Sequence, residues 1–191
     1  MKFYIAATAC LCLLCACATS RPDHFFILTA QPATGGAPRT SPTVQATLKV
    51  SLPSLVDRPE IVLNTSADSI SVLEHERWGA PLMDLVSQTL AQDIERRRSD
   101  VLVGSTGRNS ASGAALKMTV DIVQVWMRRG EPARIEVHWQ IQGPQAGRES
   151  SGAEAFSAPL GNDRYNAVAR AWSECLALLA DRLAERIPRG E

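Results

Sequence analysis

The amino-acid sequence predicts an α+β fold in which two helices pack on one face of an antiparallel sheet. Several segments alternate apolar and polar residues, which is typical of strands with one buried face. Two other segments space their apolar residues as one face of a helix does. Along the chain the order is strands, helix, strands, helix. Such a chain buries the apolar faces of both strands and helices when the helices cover one side of the sheet.

Four segments before residue 75 are predicted to be strands. They are residues 25–30, 47–52, 61–63 and 69–73. The first is the compact apolar run Phe-Phe-Ile-Leu, and in the second Leu48, Val50 and Leu52 alternate with polar residues. Residues 31–46 are rich in Pro, Gly, Thr and Ser, so they are predicted to form a flexible loop.

The next element is predicted to be a helix over residues 81–97. Its apolar stripe consists of Leu82, Val86, Leu90 and Ile94. Pro81 suits the first turn, where its missing N–H leaves no hydrogen bond unmade. Arg96, Arg97 and Arg98 stand in the last turn, where they complement the helix dipole. We interpret them as a solvated helix end, and the alternative is a patch that binds anionic lipid.

The second half of the chain is predicted to contain four strands and the last helix. The strands are residues 101–103, 115–128, 133–142 and 149–158. Gly130, Glu131 and Pro132 make a tight connection between the two longest strands, which predicts an antiparallel hairpin. Asn162 or Asp163 is predicted to cap the last helix, and Pro188 to end it. The apolar stripe of this helix is Tyr165, Val168, Trp172, Cys175, Leu179 and Leu183.

The N-terminus has the layout of a secretory signal: Lys2, an apolar run over residues 3–14, then small residues. The run is well short of the roughly 20 residues that span a bilayer. The sequence Leu-Cys-Ala-Cys that ends at Cys17 resembles a bacterial lipoprotein lipobox. This resemblance implies a diacylglyceryl group on the Cys17 thiol and a mature chain that begins there. Because Ala18 and not Asp follows, it further implies delivery to the outer membrane.

The sequence therefore divides into three parts. Residues 1–16 are predicted to be a signal peptide. Residues 17–46 are predicted to be the lipidated N-terminus, with the first short strand and the flexible loop, and residues 47–191 a single α+β domain whose sheet the strand over 25–30 joins. Acidic and basic residues balance at 20 each, so we expect no nucleic-acid-binding face. Cys175 is the one cysteine after Cys17, which excludes a disulfide within the mature chain.

The sequence offers little for catalysis. His24, His75 and His138 are scattered and none has metal-ligand spacing, so we expect no metal and no cofactor. Residues 74–76, Glu-His-Glu, are interpreted as a charged turn, because consecutive residues cannot all face one direction on a strand or helix. Cys175 stands in an apolar stripe, so we interpret it as a core residue and not a nucleophile.

A resemblance to a known family extends over most of the mature chain. It depends on Leu52, Pro53, Leu55, the segments 57–59 and 61–62 and, further on, Arg77-Trp78 and Pro81-Leu82. These residues resemble the PqiC-like family of auxiliary lipoproteins of ABC-type and MCE-type lipid transport systems. Glu60 and Asn64 stand where the family pattern leads us to expect Gln and Arg.

The resemblance implies a non-catalytic lipoprotein on the periplasmic face of the outer membrane. It implies that copies of the chain oligomerise and dock an MCE-domain tunnel protein, so that phospholipid moves between the two membranes. Asp57, Arg58 and Arg77 are the candidate docking residues, since arginine is enriched at interfaces. The alternative is that residues 57–59 form only a turn. We expect Trp78 to pack the helix onto the sheet.

Two further hypotheses stay open at this point. One is a periplasmic carrier lipoprotein that binds lipid in an apolar pocket between helices and sheet. The other is a periplasmic hydrolase, in which replacement of Ser105, His138 or Glu76 would abolish activity while leaving the fold intact.

Overall fold

A computed structural model describes most of the chain in five ranges. They are residues 21–33, 42–105, 116–143, 149–161 and 165–188. The predicted signal peptide over residues 1–16, the lipidation site at Cys17 and the caps at Asn162 or Asp163 lie outside the described residues.

Within these ranges the chain forms eight strands and two helices. The strands are β1 (His24–Phe26), β2 (Val44–Ser51), β3 (Glu60–Asn64), β4 (Ile70–Trp78), β5 (Val101–Ser105), β6 (Leu116–Trp126), β7 (Ala133–Gln142) and β8 (Glu149–Ala158). The helices are α1 (Leu82–Arg97) and α2 (Asn166–Arg186). The α+β prediction is confirmed, and both helices start close to the predicted residues.

The strands form two sheets. The larger sheet has the strand order β5-β2-β6-β7-β8, and the smaller has the order β1-β4-β3. The predicted hairpin is confirmed: β6 and β7 are antiparallel, with Val120 opposite Trp139. Gly130 in their connection has φ 79°, a backbone conformation that favours glycine.

The prediction of one antiparallel sheet is only partly right. In the larger sheet β2 runs parallel to both of its neighbours, β5 and β6, and in the smaller sheet β1 runs parallel to β4. The segment between β2 and β5, which contains β3, β4 and α1, brings the chain back to the end of the sheet where β2 begins. A parallel pair requires such a crossover connection. Alternation of apolar residues reports which face is buried and does not report the direction of a neighbouring strand.

One hydrophobic core joins the two sheets and both helices. The buried face of the larger sheet includes Leu48, Val120 and Val137, which are at most 2% exposed. Leu90 of α1 and Leu176 of α2 belong to the same core. The two helices pack against each other as well as on this sheet, so both cover one face, as predicted. The opposite face is mostly polar, with Leu102 and Val123 as exposed apolar residues.

The smaller sheet adds its inner face to this core. Its contributions are Ile61, Leu63 and Trp78, which are 0%, 5% and 6% exposed. Trp78 is thus a packing residue, as predicted. Asn64 links the two sheets, because its N–H donates to the carbonyl of Met127 at 2.7 Å and its Oδ1 accepts from the Met127 N–H at 2.9 Å.

Two local predictions were wrong. Residues 74–76 are not a turn but the middle of β4, which is nine residues long. The side chains of His75 and Glu76 have partners on the N-terminal segment that sequence spacing does not reveal. The predicted loop over residues 31–46 ends earlier than expected, because β2 begins at Val44 and the side chains of Val44 and Ala46 are buried.

The arginines at the end of α1 are not a solvated helix end. The side chain of Arg97 is 8% exposed and contacts Asp93 of the same helix and Asp181 of α2. Arg98 donates to the carbonyls of Ala184, Ile187 and Pro188 at 2.7–3.1 Å. These contacts satisfy carbonyls at the C-terminal end of α2. The guanidinium groups therefore hold the two helices together, which also argues against the alternative of a lipid-binding patch.

Both helices also hold the segment that follows β1. The Thr29 N–H donates to Ser173 Oγ at 3.0 Å, the Ala30 carbonyl accepts from Arg96 at 2.6 Å, and the Gln31 N–H donates to Asp93 Oδ1 at 2.7 Å. Asp93 is fully buried, and its Oδ2 has no hydrogen-bond partner within the described ranges. Burial raises the pKa of this carboxyl from 3.8 to about 6.

The raised pKa of Asp93 predicts that the stability of the fold decreases as pH rises. As pH rises from 4 to 6 the unfolded state releases this proton first, so the free energy of unfolding declines. Asp93→Asn keeps the acceptor for Gln31 without the charge. We expect the decline between pH 4.5 and pH 7 to be smaller in D93N by about 2 kcal/mol, measured by urea denaturation. Asp181→Asn removes the exposed partner of Arg97 and is the matched control. If the free energy of unfolding changes with pH equally in wild type and D93N, the raised pKa of Asp93 is contradicted.

Candidate docking surface

The smaller sheet presents a surface on the side away from the core. We define the β1–β4 surface as Asp23, Phe25, Ile27, His75 and Arg77. Phe25 stands opposite Arg77 in the strand register. The pairing continues beyond β1, because the Gly79 N–H donates to the Phe26 carbonyl at 2.7 Å. Alternate residues of a strand face opposite sides, so His24, Phe26 and Leu28 face the other side, where Leu28 is buried and the His24 side chain stays 56% exposed.

Two of the three predicted docking residues, Arg58 and Arg77, contact the same carboxylate. Glu60 of β3 accepts a hydrogen bond from Arg58 Nε at 3.0 Å, and its other oxygen lies 3.4 Å from Arg77 Nη2. The hydrogen bond from Arg58 holds the pKa of Glu60 below its usual range. The side chains of Arg58 and Arg77 remain 41% and 33% exposed. Glu60 therefore orients two guanidinium groups toward solvent as one unit.

The third predicted docking residue, Asp57, is exposed beside this unit. Its side chain forms no ion pair with any of the described residues. The backbone N–H of Asp57 donates to the Pro53 carbonyl at 3.2 Å, which closes the turn that precedes β3. For residues 57–59 the turn interpretation and the surface interpretation are thus compatible: the turn presents Arg58 to Glu60.

Two His–carboxylate pairs hold the N-terminal segment on β4. His24 Nδ1 lies 3.1 Å from Oε1 of Glu76, a glutamate that is 5% exposed. On the other face of the strand, His75 Nδ1 lies 3.0 Å from Asp23 Oδ1. In the first pair the N-terminal segment supplies the histidine and β4 the carboxylate. In the second pair β4 supplies the histidine and the N-terminal segment the carboxylate. Sequence analysis missed both pairs because 52 residues separate the partners.

A groove of about 440 Å³ opens at another place, where β3 and β4 approach the β6–β7 connection and the start of α2. Leu63 and Leu73 form apolar parts of its wall. The guanidinium carbon of Arg129 lies 4.4 Å from the centre of the Tyr165 ring, a cation–π contact. Arg128 also lines the groove and is paired with Glu131 at 2.7 Å. The groove thus combines apolar walls with positive charge.

The residues of the hydrolase hypothesis do not come together. Ser105 ends β5 and His138 is an exposed residue of β7. Two strands separate β5 from β7, which places these backbones about 14 Å apart. Glu76 lies in the other sheet. Cys175 is fully buried, and burial raises the pKa of its thiol to about 12, so it is an inert core residue as predicted.

The described residues carry no cluster of three or more His, Cys, Asp and Glu side chains that could hold a metal ion. In the same ranges, neither helix is long and apolar enough to cross a bilayer.

The fold and these contacts describe a small α+β domain that offers a charged surface beside exposed apolar residues. A family model for the lipoprotein component that is auxiliary to ABC-type transport matches residues 26–184. The chain belongs to this family of ABC-type transport auxiliary lipoproteins, and the resemblance to the PqiC-like family is confirmed. No curated protein sequence matches the chain.

Two solved structures share the fold. One is an uncharacterised protein with a TM-score of 0.70 and 14% identity, and the match covers 88% of this chain and 100% of that protein. The other is a protein from Xanthomonas campestris assigned to the DUF330 family, with a TM-score of 0.64 and 17% identity, covering 84% of this chain and 92% of that one. At these identities the likeness establishes the fold alone.

Proposed function

We propose that this protein is a non-catalytic accessory component of an MCE-type or ABC-type system that moves phospholipid between the inner and outer membranes. The observation that carries the proposal is the match to the auxiliary lipoprotein family across residues 26–184. In this proposal Cys17 bears the lipid anchor and the domain lies on the periplasmic face of the outer membrane. Copies of the chain associate with one another and with an MCE-domain tunnel protein.

Arg58 and Arg77 are the proposed contacts to the tunnel protein. An exposed arginine offers several N–H donors in a planar group and suits carboxylates of a partner. Glu60 holds both guanidinium groups at one place, which reduces the side-chain entropy that binding would cost. The network leaves each arginine with donors that face solvent. Asp57 adds an acceptor next to them, so the surface carries both signs of charge.

Partner capture tests this proposal. The mature lipoprotein is immobilised and used to capture proteins from detergent-solubilised membranes of the source cells. We expect an MCE-domain protein among those retained, and we expect the double variant R58A/R77A to retain at least about tenfold less, since charged contacts at interfaces are worth about 1.5–3 kcal/mol.

The matched control for this experiment is Arg134→Ala. Arg134 is likewise an exposed arginine paired with a neighbouring glutamate, Glu136, at 2.8 Å, but it stands on β7. If R134A captures as much partner as wild type and R58A/R77A captures little, docking through Arg58 and Arg77 is supported. Equal capture by both variants would reject the docking surface, and the absence of any MCE-domain protein from the wild-type sample would reject the partner.

A second candidate function is a lipid carrier, and the groove favours it. Leu63 and Leu73 offer apolar contacts, while Arg129 stacks on Tyr165 without a carboxylate partner among the described residues. A phospholipid has the matching chemistry of acyl chains and a phosphate. Unlike the pocket expected from sequence, the groove lies at the edge of the smaller sheet and not between helices and sheet. Near-stoichiometric phospholipid in purified protein, lost in Arg129→Ala, would favour the carrier over the docking component.

A further inference from the structure

Folding leaves two large apolar side chains unburied next to each other on the β1–β4 surface. Phe25 is 66% exposed and Ile27 is 64% exposed, the highest values among the exposed large apolar residues of the described ranges. The two side chains lie on the same side because they are two residues apart in extended backbone. Exposed apolar area of this kind, at the edge of a sheet and beside charged residues, marks a site of interaction with a membrane or a protein.

We propose that Phe25 and Ile27 contact the lipid bilayer that holds the anchor. This proposal rests on the lipid anchor at Cys17 that is part of the proposed function. Phe25 is the eighth residue after Cys17, and a fully extended chain of eight residues reaches at most about 29 Å. A compact domain of this size is about 40 Å across. The end of the domain that carries β1 therefore faces the bilayer, within reach of its surface.

The apolar pair is fixed to the domain and is not part of a loose tether. Before it, Asp23 and His24 bind His75 and Glu76 of β4. After it, Thr29 donates to Ser173 of α2, and the following residues are held by α1. A membrane contact made by Phe25 and Ile27 would therefore set the orientation of the whole domain.

The arginines near the pair suit a lipid surface, and the nearby carboxylates of Asp23 and Glu60 are paired with His75 and with arginines. Arg21 is exposed in the segment that leads from the anchor to β1, where a basic residue is favoured beside anionic headgroups. Arg77 is the neighbour of Phe25 across the strands. An aromatic ring and a branched aliphatic side chain next to arginines are a combination typical of interfacial membrane contacts. The same orientation places Arg58 and Arg77 near headgroup level, where a tunnel protein that delivers lipid would arrive.

Site-directed spin labelling tests the contact in the full mature lipoprotein, reconstituted in vesicles of phosphatidylethanolamine and phosphatidylglycerol. Phe25→Cys provides the label site, and Ile27→Cys an independent second one. Cys175 stays unlabelled because it is fully buried and its thiol pKa is raised to about 12, while the thioether occupies Cys17. Leu102→Cys is the matched control, because Leu102 is 50% exposed and lies on β5, at an edge of the other sheet.

We expect labels at residues 25 and 27 to collide severalfold more with oxygen, and severalfold less with an aqueous nickel chelate, than the label at residue 102 does. Equal accessibility at all three positions overturns the proposal. Spectral broadening at residue 25 that disappears on dilution with unlabelled protein, together with few collisions with either oxygen or the nickel chelate, also overturns it, because a second copy of the chain then covers the surface.

Flotation of the same vesicles separates this proposal from the proposed function. Protein that floats with the vesicles while residue 25 remains in water has its anchor, so only the contact made by Phe25 and Ile27 fails. Protein that does not float lacks the anchor, and both the contact and the lipid-anchored function fail.

Discussion

Cys17→Ser is expected to release the protein from the membrane to which the proposed anchor attaches it. A serine hydroxyl does not form the thioether that would carry the proposed diacylglyceryl group, so the variant would lack both acyl chains. Because each buried methylene contributes about 0.8 kcal/mol, two chains anchor a protein stably whereas exposed apolar side chains alone do not. We expect the outer-membrane fraction to fall on the order of 100-fold or more in C17S, measured by immunoblotting of separated membrane and soluble fractions.

The control for this prediction is Cys15→Ser. Cys15 stands two residues before the predicted cleavage point, so its replacement leaves the anchoring thiol in place. We expect C15S to fractionate with the outer membrane as wild type does. Retention of C17S in the outer membrane at wild-type level would show that something other than the thioether holds the protein there.

Trp139→Ala is expected to destabilise the fold more than any single surface substitution. Trp139 of β7 is 4% exposed, and it stands opposite Gly152 of β8. Its ring lies so close to Gly152 that a Cβ there would be 2.7 Å from Cε2, so glycine leaves the space that the ring fills. The indole N–H donates to Glu154 at 3.3 Å, and Arg182 of α2 holds the same carboxylate at 2.8 Å.

Removal of this ring should cost about 3–5 kcal/mol in the free energy of unfolding, because a large buried side chain leaves a cavity. For a domain of this size the melting temperature should fall by about 6–20 °C, which thermal denaturation followed by circular dichroism measures.

The matched control for W139A is Trp126→Ala. The Trp126 indole also donates to a glutamate, Glu131 at 3.1 Å, but the residue is only half-buried. W126A should therefore lose less than half as much stability as W139A. Equal losses would mean that the hydrogen bond, and not the packing over Gly152, determines the contribution of Trp139.

Periodicity predicted the elements that have one buried face. β6, β7 and both helices lie where the alternating or helical spacing placed them, because burial on one face of an element imposes that spacing. The same signal carries no information about neighbours. For this reason the parallel pairing of β2 and the division into two sheets were not predicted.

The charged residues show the same limit. Arg97 and Arg98 were expected to be solvated, but the groups that bind them, Asp181 and the carbonyls at the end of α2, follow more than 80 residues later. Glu76 was assigned to a charged turn, and its partner, His24, was missed because it belongs to the segment before the loop. The sequence shows which residues are charged, whereas the fold determines which of them form pairs.

The candidate docking surface was predicted in part. Arg58 and Arg77 were selected by family resemblance, and the structure brings them together through Glu60, a residue that departs from the expected family pattern. Arg58 lies in the turn that precedes β3, two residues before Glu60, so this contact is local in sequence. The approach of Arg77 required the register of β3 against β4, in which Glu60 stands opposite Arg77.

The anchor on which the proposed function depends is open to one direct measurement, the intact mass of the protein extracted from outer membranes, with fragmentation of its N-terminus. We expect a chain that begins at Cys17 and carries a diacylglyceryl thioether on that residue. A chain that still begins at Met1, or a bare Cys17 thiol, would contradict the lipid-anchored assignment.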